Sequence, residues 1–79
     1  MSADLLERVT RVAAEVSGRA ADSLSPDAPW SELGFDSLVL FELLLLLEDQ
    51  LGVELDLDPD QEPANLREVA DRIARLATG

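Results

Sequence analysis

The sequence predicts an all-α fold with three main helices, one short helix and a long loop between the first two main helices. Three observations predict it. Apolar residues recur with a helical period near both ends of the 79-residue chain, and a leucine-dominated segment of helical length follows Asp36. Gly, Pro, Asp and Asn stand at the joints between these segments, where helices start and stop. A chain of this length is read as a single domain over residues 1–79, near the size at which one core gives only modest stability.

The first helix is expected from near Ser2 or Ala3 to Ser17, because Leu5, Val9, Val12 and Val16 fall on one face and Gly18 suits a left-handed C-terminal cap. The connection over residues 19–35 carries Ser25-Pro26-Asp27, Pro29 and Gly34. Loops this long are functional or pinned to the core, and Leu24, Trp30, Leu33 and Phe35 are the candidate pins, with Trp30 an anchor rather than a binding residue. The central helix should run from Asp36 as N-cap to about Gln50 or Leu51 and end at Gly52. Turning about 100° per residue, Leu40, Leu43, Leu46, Leu47 and Leu51 form a core stripe. Leu38, Phe41 and Leu45 form a second apolar stripe, edged by Glu42, Glu48 and Asp49. Two readings of that second stripe stay open: a face for a protein partner, or a helix buried all round.

After the central helix, Val53-Glu54-Leu55 reads as extended, leading to a short helical turn over residues 57–62 that Pro63 terminates. Asp56, Asp58 and Asp60 alternate as in a calcium loop, but Gln61 occupies the position that demands glycine and Arg67 the position of the bidentate glutamate. No metal site is expected there. The last helix opens with the capping box Asn65-Leu66-Arg67-Glu68, and Leu66, Val69, Ala70, Ile73 and Leu76 or Ala77 form its buried stripe. Glu68 with Arg72 and Asp71 with Arg75 are spaced to pair on its outer face.

Composition narrows the function. The chain has no His and no Cys, which removes the usual general base, the thiolate nucleophile and the main zinc ligands. No catalytic residue can be named, and an enzyme is not expected. Met1-Ser2-Ala3-Asp4 lacks the basic and apolar regions of a secretory signal, and the apolar run at residues 43–47 is far too short to span a bilayer, so a cytoplasmic location is expected. Net charge is −11, unevenly spread: residues 20–66 hold twelve acids and no base. Such a field repels nucleic acid and anionic lipid and steers basic protein partners, while also keeping a leucine-rich domain soluble.

Gly34-Phe35-Asp36-Ser37-Leu38 sets a serine hydroxyl where a loop ends and the long helix begins. Unpaired N–H groups and partial positive charge at a helix N-terminus favour a phosphate there. The same residues also suit an ordinary capped first turn. With its neighbours, this segment gives the chain a family likeness. The chain resembles an acyl carrier protein of the phosphopantetheine-binding family over essentially its whole length, through Leu33-Gly34-Phe35-Asp36-Ser37-Leu38 and the following Leu51-Gly52-Val53-Glu54-Leu55.

The resemblance implies a four-helix bundle of acyl-carrier type and a stand-alone carrier whose Ser37 bears a 4'-phosphopantetheine arm from coenzyme A, with acyl groups held on it as thioesters. Asp36 is then both a helix cap and a contact for the modifying enzyme. Leu38, Phe41, Glu42, Leu45, Glu48 and Asp49 match the family's partner-recognition face. The partners implied are a phosphopantetheinyl transferase using Mg²⁺, an acyltransferase or acyl ligase, and a ketosynthase or other pathway enzyme with a basic docking surface; nucleic acid and membrane are not implied, and a monomer is. Val39 stands where fatty-acid-synthesis carriers usually have an acid, Phe41 is bulkier than usual, and Pro63 replaces an apolar residue that closes the acyl pocket. These departures favour a polyketide or other secondary pathway, including antibiotic biosynthesis, over fatty acid biosynthesis. A peptidyl or aminoacyl carrier of a nonribosomal peptide pathway is the close alternative, and an unmodified acidic adaptor the more distant one.

Overall fold

The computed structural model describes residues 2–55, 60 and 62–78, with the side chains of residues 2, 3, 77 and 78 excepted. Among the described residues four α-helices follow in order: α1 (Ser2–Ser17), α2 (Trp30–Leu33), α3 (Ser37–Leu51) and α4 (Leu66–Thr78). The all-α expectation holds. The short helix expected over residues 57–62 and the acidic alternation at residues 56–60 lie almost wholly outside the described residues.

Helix α1 stops where Gly18 takes φ 74°, with the Gly18 N–H donating to the Ala14 carbonyl at 2.9 Å. Its inner face buries Val9, Val12 and Ala13 and packs against both α3 and α4. The loop that follows is organised, not idle. A 3₁₀ turn at Ala21–Ser23 leads to buried Leu24, and Pro29 precedes the single turn of α2, which ends at Gly34. This turn went unread in the sequence, although a proline just before it and a glycine just after it are the usual marks of a helix start and stop.

All four proposed pins are buried, with Leu24, Leu33 and Phe35 at 4–5% exposure and Trp30 at 9%. The Trp30 and Phe35 rings meet at a centroid distance of 5.5 Å, tilted by 31°. The Trp30 indole N–H donates to the Pro63 carbonyl at 2.7 Å, so the anchor brings its own polar partner into the core. A second tie comes from Arg67 at the start of α4. Its backbone N–H donates to the Pro26 carbonyl at 3.0 Å, and its guanidinium grips Asp27 through both carboxylate oxygens, at 2.6 and 3.2 Å. The hydrogen bond from Arg67 holds the Asp27 carboxyl below its ordinary value of 3.8, with the guanidinium charge acting in the same direction.

Helix α4 starts as its capping sequence requires: Asn65 Oδ1 accepts from the Glu68 N–H at 2.9 Å, and the Glu68 carboxylate meets Arg72 at 3.4 Å. Leu66, Val69, Ala70 and Ile73 are buried. Leu76, expected as a possible member of this stripe, is 49% exposed. Three residues beyond Ile73 the helix has turned about 300°, which carries Leu76 to the edge of the stripe.

Candidate functional site

The site is built where the loop enters α3. Gly34 has φ 77°, a left-handed conformation that turns the chain out of α2, and the Phe35 N–H closes the turn on the Trp30 carbonyl at 2.9 Å. Phe35 is buried, which fixes the next two residues at the surface. Asp36 has extended backbone, and its Oδ1 accepts from the Val39 N–H at 2.8 Å as the N-cap of α3, while its carbonyl accepts from Leu40. Ser37 is the first residue of α3 and is exposed. Its hydroxyl therefore stands on a rigid helix end whose first-turn amides have no carbonyl one turn earlier to bond.

The two stripes of α3 separate in space. Leu40, Leu43, Leu44 and Leu47 are buried, with Leu43 and Leu47 at 0% exposure. Leu44 was not in the expected core stripe, whereas Leu46 and Leu51, which were, are only half-buried. One residue accounts for the difference: Leu44 lies one turn from both Leu40 and Leu47 and closes their face, while Leu46 is turned about 100° from Leu47. On the outer side Leu38, Phe41 and Leu45 are 63%, 46% and 42% exposed, in contrast with a helix buried all round. Glu42 and Asp49 are exposed beside them. Glu48 differs from the other two acids: it is half-buried, and its Oε2 accepts from the Leu55 N–H at 2.7 Å, securing the segment that leaves α3.

Beneath that segment Leu44, Leu55, Pro63, Val69 and Arg72 line a cavity of only about 10 Å³. This is room for about one water. A larger cleft of about 190 Å³ opens at the other end of α3 from Ser37, between Arg8, Arg11 and Val12 of α1 and Leu47, Gln50 and Leu51. Among the described residues no group of His, Cys, Asp and Glu is placed to hold a metal ion, and no helix is long and apolar enough to cross a membrane.

An exposed serine at a capped helix start, beside an exposed apolar stripe, is the arrangement on which a carrier depends. The family described as phosphopantetheine attachment site matches residues 7–73, which include all of α3. The chain belongs to this family. The chain is 33% identical over 69 residues to an acyl carrier protein of Nitratidesulfovibrio vulgaris, covering 86% of this chain and 91% of the relative. It is 36% identical over 80 residues to an acyl carrier protein of Saccharopolyspora erythraea, covering 95% of this chain and 84% of that one. Among solved structures it superposes on the A1-type ACP domain from module 5 of MLSA1 with a TM-score of 0.81 and 29% identity, over 95% of this chain and 76% of that domain.

The acyl carrier proteins of this family are phosphopantetheine-bearing carriers that work with the enzymes of a pathway and are not themselves catalysts. The cofactor is a covalent 4'-phosphopantetheine, and the site fits it. The Ser37 residue is exposed, and the amides at a helix start suit an attached phosphodiester. When attached, the group supplies a terminal thiol for thioester chemistry, and the chain supplies position and recognition.

Proposed function

We propose that Ser37 carries the phosphopantetheine arm and that the chain presents acyl thioesters to the enzymes of a polyketide or related secondary pathway. The observation that carries this reading is the exposed Ser37 hydroxyl at the first residue of α3, held there by the Asp36 cap and the buried Phe35. In the loading step the Ser37 oxygen attacks the pyrophosphate of coenzyme A at the phosphorus bearing pantetheine. A new P–O bond forms, the P–O–P bridge breaks, the adenosine bisphosphate half leaves, and the serine proton passes to a base of the transferase. Asp36, Leu38, Phe41, Glu42, Leu45 and Asp49 form the surface that transferase and pathway enzymes read, with the leucines and Phe41 as apolar anchors and the acids for approach and register. Glu48 joins this surface from its edge while holding the Leu55 amide.

The secondary-pathway reading is supported by Val39 and Phe41 just after the serine, which depart from the acid and the smaller aliphatic residue of fatty-acid-synthesis carriers. Incubation with coenzyme A, Mg²⁺ and a broad-specificity transferase should add one phosphopantetheine to the intact mass, and Ser37→Ala should abolish the gain. An unchanged wild-type mass with two unrelated transferases would overturn the proposal. Loading trials with malonyl, fatty acyl and aminoacyl donors then separate a polyketide-type carrier from a fatty acyl or aminoacyl one.

A further inference from the structure

Arg19 is placed where neither its sequence position nor the carrier function requires a base. It follows the end of α1, yet its guanidinium lies across Gly34, three residues before Ser37. The approach is close: a Cβ on residue 34 would stand 3.1 Å from the Arg19 Cζ and 3.4 Å from its Nε, and the exposed Arg19 side chain would have to shift to admit one. Gly34 thus provides both the left-handed turn and the seat for the guanidinium.

The charge around this seat is one-sided. Arg11, Arg67 and Arg72 have carboxylate partners at Glu7, Asp27 and Glu68. Arg19 has no acid within ion-pair distance among the described residues, and no other base occurs from there to Arg67. It is the one cation held at the entrance to α3, in a stretch of chain that is otherwise acidic. Three residues of chain span at most about 11 Å, so the guanidinium on Gly34 lies in the neighbourhood of Ser37.

Resting on the assignment of Ser37 as the attachment residue, we infer that Arg19 is a positioning residue for the phosphodiester of the arm. Attachment places a negative charge beside the Asp36 carboxylate, and the unpaired guanidinium is the group at hand to offset it. A planar fork of N–H donors suits phosphate oxygens in particular. The consequence is directional. With its root drawn toward the loop side, over Gly34, the arm leaves the outer face of α3, with Leu38, Phe41 and Leu45, clear for a partner.

The test compares apo and holo protein with ¹⁵N-labelled arginine, after mass spectrometry has shown complete modification. The Arg19 Nε–Hε resonance should move on conversion to holo and exchange more slowly with water, while that of Arg8, on α1, stays in place. The ³¹P resonance of holo Arg19→Gln should differ from that of the wild type. Full modification with an unmoved Arg19 resonance, or identical ³¹P spectra, overturns the inference and leaves Ser37 as the attachment residue. Failure of the wild type to gain the phosphopantetheine mass overturns the Ser37 assignment itself, and the role of Arg19 with it.

Discussion

At the residue scale, two contacts hold the long loop in the conformation that presents Ser37. The Trp30 indole bond to the Pro63 carbonyl is buried and neutral; the Arg67 bond to Asp27 is exposed and charged. They should fail under different conditions. Trp30→Phe keeps an aromatic ring beside Phe35 but strands the Pro63 carbonyl, and should lower unfolding stability by about 1–3 kcal/mol at any pH, read from urea denaturation followed by circular dichroism. The Asp27 contribution depends on acid. Because its folded pKa lies below the unfolded value, the stabilisation is present above the ordinary range near 3.8 and is lost as pH falls through the lower folded value. The wild type should therefore lose more stability than Asp27→Asn as pH drops below about 4, and the gap between the two should narrow at high salt because the pair is solvent-exposed. Parallel pH curves for the two proteins at low salt would show that the loop does not rely on this pair.

At the scale of the element, α3 divides its leucines between two tasks, and the division can be measured. Leu43 and Leu47 are fully enclosed, so Leu43→Ala or Leu47→Ala should cost roughly 2–5 kcal/mol, a large share of what a small domain has. Phe41→Ala and Leu45→Ala remove half-exposed side chains and should change stability far less while weakening docking by about 1 kcal/mol or more. Thermal melts and transfer rates on the four variants decide it, and equal destabilisation of both pairs would mean that the outer stripe is structural. The ends of this helix were legible in the sequence because Asp36 and Gly52 each do a local job there, capping the amide of Val39 and taking φ 66°. The rotation of its middle was less so. Residues 43–47 are five consecutive leucines, and with no polar residue to mark the phase the pattern missed Leu44 in the core. The buried loop anchors could be read from their size alone. Arg67 on Asp27 and Arg19 on Gly34 could not, because those pairs are made by the fold between residues far apart in the chain.

At the scale of the molecule, the controlling property is a net charge of −11 concentrated between the two terminal helices. Self-repulsion of that size opposes compactness, and the core of α1, α3 and α4 has to outweigh it. The charge is also unevenly placed along the chain: bases occur on α1, on α4 and at Arg19, and the twelve acids of residues 20–66 have no base among them. Two exposed acids, Glu42 and Asp49, flank the outer apolar stripe of α3 about two turns apart, and neither makes an ion pair among the described residues. Reversing both, Glu42→Lys with Asp49→Lys, should leave the helical circular dichroism and melting temperature nearly unchanged. It should also slow association with a transferase of basic docking surface by about tenfold or more at low ionic strength. Added salt should slow the wild type more steeply than the variant and bring the two rates together, since at about 1 M the screening length is only about 3 Å. Stopped-flow association at graded salt measures this directly. Equal rates at low salt would assign these two acids to solubility, and recognition would then rest on Leu38, Phe41 and Leu45 and on contacts at the capped serine itself.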